Sequence, residues 1–396
     1  MSHSLLNHAI ESYSSAQPWA DAFAPRAPVA RVRVLHLING EHYAGAERVQ
    51  DLLALRLPEF GVDPELACLK PGRFPILRRS QFTPLHEMPM RGRFDLRPAR
   101  RLAQLLRDEG FDLLHTHTPR AALVGHLAAR LSGVPMVHHV HGQTATEVRR
   151  RWWTGLMARV ERMCVARAAA VIAVSPSAAR YIASHGVAES RLHVVPNGVP
   201  SHDTLSDRPL PSGEWTLGTI ALFRPRKGLE TVLHAIGLLR RRGFAVRLRA
   251  VGSFETLEYR DEVLRYATEL DVAADVDWLG FQSDIDRQLA KMDLLVFPSV
   301  LAEGLPMVPL EAMAAGVPIV ASRVDGVTDL VRDGIEGLLC RPGDAEDLAD
   351  AVARFVRGES DWHVMRQRAY RRQKDDFSDR AMAATIAQLY HDVIRA

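Results

Sequence analysis

What most limits the folds open to this chain is an alternation, run through twice, of short apolar strands and helical stretches. The stretch "RVRVLHLI" (31–38) reads as a strand ending at Asn39-Gly40, and "AERVQDLLALRL" (46–57) carries Val49, Leu52, Leu53 and Leu57 at helical spacing. Further strands are predicted at "ELACL" (65–69), "FDLLHTH" (111–117), "VPMVHHV" (134–140), "AVIAV" (170–174) and "LHVV" (192–195). The pattern stops at 196–215, dense in Pro, Ser, Asp and Gly, which is linker chemistry. It then restarts with "TLGTIAL" (216–222), "VRLRAVG" (246–252), "DVDWLG" (275–280), "DLLVFPS" (293–299), "VPIVAS" (317–322) and "GLLC" (337–340). Apolar strands with helices between them argue for parallel, doubly wound sheets buried on both faces. The expected division is a loose leader at 1–29, a first domain at 30–200, a linker at 201–215, a second domain at 216–375 and a closing helix at 376–396 that packs back on the first domain. A length of 396 residues fits two such domains.

In open parallel sheets, ligands bind beyond the carboxyl ends of the strands, so the residues just after each strand carry most of the functional information. "EGLPMVPLE" (303–311) places Glu303 in the loop after a strand and Glu311 inside the helix that follows. Pro306 or Pro309 suits the first helical turn, where a missing N–H costs nothing. Eight residues of helix would separate the carboxylates by about 12 Å, too far to share one metal ion and suited to gripping two ends of an elongated ligand. The alternative is one surface glutamate and one helix glutamate on a core-facing segment. "FRPRKGLE" (223–230) sets Arg224, Arg226 and Lys227 beside Gly228 at a strand-to-helix turn, an arrangement suited to a diphosphate. "NGEHYAGAERV" (39–49) is a similar turn in the first domain, containing Gly45 and lacking the G-x-G-x-x-G spacing of a dinucleotide site.

Taken in order, "YAGAERV", "LLHTHTPRAALVGHLAARLSGVPMVHHVHG", "VIAVSPSAARYIASHGV", "LHVVPNGV", "RKGLE", "LLVFPS", "EGLPMVPLEAMAAGVPIVAS" and "VDGVTDLVRDGIEGLLCRPGD" resemble the family 4 retaining glycosyltransferases over roughly residues 31–356. The resemblance implies an α/β protein of GT-B fold: two Rossmann-like domains facing a central cleft, the first toward the acceptor and the second holding a nucleotide sugar. It implies transfer of a sugar from a nucleotide-diphosphate donor, as co-substrate and without a further cofactor, to a glycan or lipid-linked hydroxyl. Carried over residue by residue, Glu311 would hold the ribose hydroxyls and Glu303 would lie near the donor sugar. The amides of Gly304, Leu305, Met307 and Val308 would face phosphate and sugar oxygens. Lys227 would neutralise the leaving diphosphate, His141 would contact the sugar from the first domain, and Gly45 and Gly228 would lie by the diphosphate.

Two departures stand out. Many relatives place an arginine five or six residues before the lysine, where this chain has Leu222 and Ala221; Arg224, nearer the strand end than Arg226, is the favoured second cation. Asp329 replaces a more usual glutamate.

Other signals point elsewhere. "DVD" (275–277) and "DID" (284–286) resemble metal-binding triplets, yet the first enters a strand and Asp284 and Asp286 open a helix, complementing its dipole. His115, His117, His138, His139 and His141 alternate on strands; no metal is called for, and only His141 is given a functional role. A net charge of +3 does not require a nucleic-acid partner, although six arginines cluster between residues 91 and 107. "RRRWWTGLMARVER" (149–162) suits either an anionic membrane surface, arginines to headgroups and tryptophans to the interface, or a solvated basic face with its tryptophans in the core or the acceptor cleft. Three scattered cysteines and the lack of an apolar run near 20 residues suggest a cytoplasmic protein, peripheral at most. Two other readings remain: a nucleotide-sugar 2-epimerase of the same fold, and a non-catalytic nucleotide-sugar-binding protein.

Overall fold

The structure, a computed structural model, describes residues 31–92, 95–142 and 162–396. The expected leader and nearly all of the arginine–tryptophan cluster fall outside them. The chain forms two compact units, Met1–Gly198 with Asp379–Ala396, and Val199–Ser378.

The first unit holds seven strands: β1 (Val32–Ile38), β2 (Val62–Cys68), β3 (Leu85–Glu87), β4 (Leu113–Thr116), β5 (Met136–Val140), β6 (Ala170–Ala173) and β7 (Leu192–Val194). Their spatial order is β3-β2-β1-β4-β5-β6-β7, with every pair parallel. All residues of β4, β5 and β6 are buried, as sheets covered on both faces require. β2 starts three residues before the expected "ELACL", because β1 pairs with it from Val32–Val62 onward. "VDP" reads as a turn in the sequence. Pro64 is tolerated because β3 joins β2 only from Leu66, so no β3 carbonyl calls on the missing N–H. "FDLLHTH" contributes only Leu113–Thr116; Asp112 accepts the Arg33 backbone N–H at 2.8 Å and Phe111 lies under the Arg33 guanidinium, which close the strand's entry.

The closing helix, Asp379–Arg395, is part of this unit. Its first residue takes an ion pair from Arg56 at 2.8 Å, and Tyr390, fully buried, reaches the histidines of the sheet.

The second unit holds β8 (Trp215–Ile220), β9 (Val246–Val251), β10 (Val276–Gly280), β11 (Leu294–Phe297), β12 (Ile319–Ser322) and β13 (Gly337–Cys340). Their order is β10-β9-β8-β11-β12-β13, again all parallel. A core built on Leu217, Leu233, Ile236, Leu248, Leu294 and Val296 joins the sheet to its helices. The stretch 201–215 differs from a free linker. The side chains of Tyr370 and Arg366 donate to the His202 and Ser206 carbonyls at 2.7 and 2.8 Å, and Arg208 pairs with Asp293 at 3.0 Å. Its composition offers little apolar surface, so it is fixed through backbone carbonyls instead.

Candidate active site

In each sheet the sequence order reverses at one point: between β1 and β4, and between β8 and β11. Loops leaving the carboxyl ends of strands at such a point line the natural ligand crevice. In the second unit these are the loops after β8 and β11, and they hold the two motifs singled out from the sequence.

After β8, the chain makes a 3-10 turn at Pro225–Lys227 and enters the helix Leu229–Arg241 through Gly228. Gly228 has φ of 68°, and a Cβ there would stand 2.1 Å from the Pro298 carbonyl oxygen. Only glycine lets the two loops come this close. They are also joined by the Val300 N–H donating to the Arg226 carbonyl at 3.0 Å.

That contact brings together residues 76 apart in sequence. Lys227 Nζ donates to Glu303 Oε1 at 2.6 Å, and the Ser299 hydroxyl donates to the same oxygen at 2.7 Å. Arg226 lies 3.8 Å from that oxygen, and the Lys227 ammonium stands 5.3 Å from the centre of the Phe297 ring. Burial pushes the Glu303 carboxyl up, but the charges of Lys227 and Arg226 outweigh it and hold it below the usual carboxylate range. Burial lowers the Lys227 ammonium, opposed by Glu303 and reinforced by Arg226, so its net direction is down. The result is a compact, partly desolvated charge cluster.

Arg224, favoured from the sequence, is the last extended residue before the 3-10 turn and reaches Glu255 at 3.5 Å; Arg226 is the arginine beside the pair. Ser299 was not singled out in the sequence. Its signal was a hydroxyl at the end of "VFPS", four residues before Glu303.

The helix carrying Glu311 spans Met307–Ala314 and begins after Pro306. Glu303 therefore lies in the loop, three residues (Gly304, Leu305 and Pro306) short of the helix, and the eight-residue helical spacing between the glutamates does not hold. Glu303 is fixed by its own N–H donating to the Asp325 carbonyl at 3.0 Å. Glu311 is 8% exposed in the second helical turn. Gly304, Leu305 and Met307 are buried, whereas Val308 is half-buried, around a helix start whose first N–H groups have no partner within the helix.

Three of the four triplet acids are engaged elsewhere. Asp284 caps the helix Ile285–Leu289 by accepting the Arg287 N–H, Asp277 pairs with Arg247 at 3.2 Å, and Asp275 pairs with Arg240 at 2.7 Å.

In the first unit, Gly45 starts the helix Gly45–Arg56 after β1. A Cβ on it would meet nothing within 4 Å and its φ is not left-handed, so the fold itself does not require glycine there. At the carboxyl ends of β1, β4 and β5, alternate residues place His36, His115, His117, His139 and His141 in ring contact with one another. His138 points to the other face, where it meets the Thr116 hydroxyl at 2.8 Å. Burial lowers every one of these imidazoles, His36 and His141 to about 3 and His138 to about 4, so they stay neutral at physiological pH. Two trios, His36–His115–His117 and His117–His139–His141, have nitrogens within 4.8 Å of one another. His139 and His141 stack at 27° with centroids 4.2 Å apart, whereas His117 and His141, nearly coplanar at 18° with centroids 5.3 Å apart, meet edge to edge. Stacked rings carry their in-plane lone pairs side by side, whereas a shared ion needs them to converge.

Two doubly wound parallel sheets, one with a cationic loop at its switch point, define the two-domain Rossmann-like class of α/β proteins. Residues 203–372 match the family described as Glycosyl transferases group 1, and residues 43–202 match Glycosyltransferase Family 4. The chain belongs to this glycosyltransferase family, as the ordered motifs implied. It is 30% identical to a phosphatidyl-myo-inositol mannosyltransferase of Mycobacterium leprae, over 68% of this chain and 69% of that protein. It is 25% identical to a UDP-Gal:alpha-D-GlcNAc-diphosphoundecaprenol alpha-1,3-galactosyltransferase of Escherichia coli, over 76% and 80%. In fold it matches the Anabaena protein HepE, solved with UDP and glucose, at a TM-score of 0.81 and 22% identity, covering 91% of this chain and 100% of that one. The fold is GT-B, the expected one. Among the described residues no helix is long and apolar enough to cross a membrane.

Proposed function

We propose that this enzyme is a retaining glycosyltransferase that moves a sugar from a nucleotide diphosphate to a glycan or lipid-linked hydroxyl, as in polysaccharide or glycolipid synthesis. The observation that carries the reading is the Lys227–Glu303–Ser299–Arg226 cluster, held between two loops at the second sheet's switch point. A diphosphate arriving there would take the cations from Glu303, the only acid pairing with Lys227 among the described residues. Glu303 would then be released toward the sugar, and Glu311 would accept the ribose hydroxyls. Amides of Gly304, Leu305, Met307 and Val308 would donate to phosphate and sugar oxygens. Lys227, with Arg226 or Arg224 as second cation, would stabilise the charge that grows on the leaving phosphate. By the family resemblance, His141 would contact the transferred sugar and Gly45 would leave its backbone open to the diphosphate.

In the proposed reaction the bond from the anomeric carbon to the phosphate oxygen breaks and a bond to the acceptor oxygen forms on the same face. The acceptor proton passes to the departing phosphate oxygen, so no separate base is needed. The cationic cluster would supply the charge neutralisation that a metal otherwise provides, and Asp275 and Asp277 are paired with arginines while Asp284 caps a helix. Support for a lipid-linked or glycan acceptor comes from the names of the relatives.

The test is a thermal-shift panel of UDP, GDP, ADP and their sugars, followed by product analysis with candidate acceptors. One base should raise the melting temperature, with loss of the shift in Glu311→Ala. No stabilisation by any nucleotide would overturn the reading. Epimer formation from a nucleotide sugar without acceptor would replace it with the 2-epimerase alternative.

A further inference from the structure

The histidines of the first unit form a hydrogen-bonded line with a direction. Tyr390, on the helix Asp379–Arg395, has its hydroxyl 2.5 Å from His115 Nδ1 and 3.3 Å from His36 Nε2. His36 Nδ1 is 3.1 Å from His117 Nε2, and His117 Nδ1 is 3.0 Å from His141 Nε2. His141 Nδ1 ends the line, buried and without a hydrogen-bond partner among the described residues. Each ring is neutral, so each carries one proton and one bare nitrogen, and fixing one ring fixes the next.

The phenol has a single proton to give. The 2.5 Å contact suits an O–H donating to His115 Nδ1, while 3.3 Å suits an N–H donating from His36 Nε2 to the phenol oxygen. His36 then has a bare Nδ1, which accepts from His117 Nε2–H. His117 Nδ1 is bare in turn and accepts from His141 Nε2–H. The line ends at a bare His141 Nδ1.

We propose that Tyr390, through His36 and His117, locks His141 as its Nε2–H tautomer, so that His141 meets the donor sugar as a hydrogen-bond acceptor for one of its hydroxyls. The clause about the sugar rests on the function proposed above; the lock does not. Tyr390, His36 and His117 are positioning residues, and His141 is the one that touches substrate. A locked acceptor selects a donor sugar bearing a hydroxyl at that point over one lacking it. No net charge moves along the line, because a proton leaving Tyr390 would strand a phenolate, and burial raises that phenol well above its ordinary value.

The experiment labels the histidine rings of the full chain with 15N and reads the tautomer of His141 near neutral pH, assigned by the signals lost in His141→Gln. The wild-type protein should show Nε2 protonated and Nδ1 bare. An Nδ1–H tautomer, or an unbiased mixture, overturns the lock without any variant having to fold. In Tyr390→Phe the bias should disappear, and an unchanged tautomer overturns the role of Tyr390. In the kinetic arm, Tyr390→Phe should lower kcat/KM about threefold to tenfold for the natural donor, the worth of one hydrogen bond. It should leave one donor of a monodeoxy series unaffected, the one lacking the hydroxyl that His141 receives. An equal loss on every donor overturns the acceptor role. A protein that turns over no donor but shows the locked tautomer refutes the proposed function and leaves the lock standing.

Discussion

The six imidazoles held neutral by desolvation should make the first unit acid-labile, and the size of the effect follows from linkage. Folded His36 and His141 titrate at about 3 and His138 at about 4, against an unfolded value of about 6.5. Above the unfolded value both states are neutral and nothing depends on pH. Below it the unfolded chain binds protons that the folded unit refuses, so stability falls as pH falls toward the folded values. At about pH 5, some 1.5 units below the unfolded value, each of the three costs about 2 kcal/mol, or about 6 kcal/mol together. That is a large share of a typical domain's 5–15 kcal/mol, roughly stated. His115, His117 and His139 shift in the same direction and add to it. The assay equilibrates the protein in graded urea at several pH values, pulse-labels with deuterium at one common pH, and reads peptides from β1, β4 and β5. The variant is His138→Asn, whose amide can replace Nδ1 beside the Thr116 hydroxyl. Its stability loss between neutral pH and about pH 5 should be about 2 kcal/mol smaller than in the wild-type protein. A wild-type midpoint that is flat over this range, or an identical loss in His138→Asn, would refute the reasoning.

Lys227→Ala should lower kcat by about 100-fold to 1,000-fold with modest change in donor affinity, measured by steady-state kinetics; wild-type turnover would remove the donor-site assignment. Glu311→Ala should weaken nucleotide binding by roughly 10-fold to 100-fold in calorimetry, as loss of charge-assisted hydrogen bonds predicts. Arg226→Ala should harm turnover more than Arg224→Ala, since Arg226 stands by the Lys227–Glu303 pair and Arg224 by Glu255; the reverse order would restore the sequence preference. Gly228→Ala should cost a few kcal/mol, on the order of other strained backbone sites, because the new methyl would strike the Pro298 carbonyl; an unchanged melting curve would refute this. Activity should survive added EDTA, and its abolition would return a metal to the mechanism.

Much of this was legible in the chain, because strand–helix alternation and turn chemistry are local. Runs such as "LLVF" and "VPMVHHV" announced strands buried on both faces, and "RKGLE" and "EGLPMVPLE" announced the loops that follow two strands. What local patterning misled was spacing: Pro306 delays the helix until Met307, so Glu303 and Glu311 are set by a loop and a helix in series. It also hid Ser299, whose partner is defined only once the loop folds back.

Strand order belongs to the tertiary structure. Nothing in residues 216–299 states that β11 lies beside β8, yet that adjacency places the Lys227 loop against the Glu303 loop and closes an ion pair across 76 residues. The histidines make the same point. Their alternation was visible on each strand, while their meeting depends on the parallel register that sets His36 beside His115, and on the final helix that brings Tyr390 to both. The sequence by itself determined which elements form and which loops carry charge, since those depend on neighbours along the chain. The tertiary structure decided which loops meet, because parallel pairing and helix docking join residues that the chain keeps far apart.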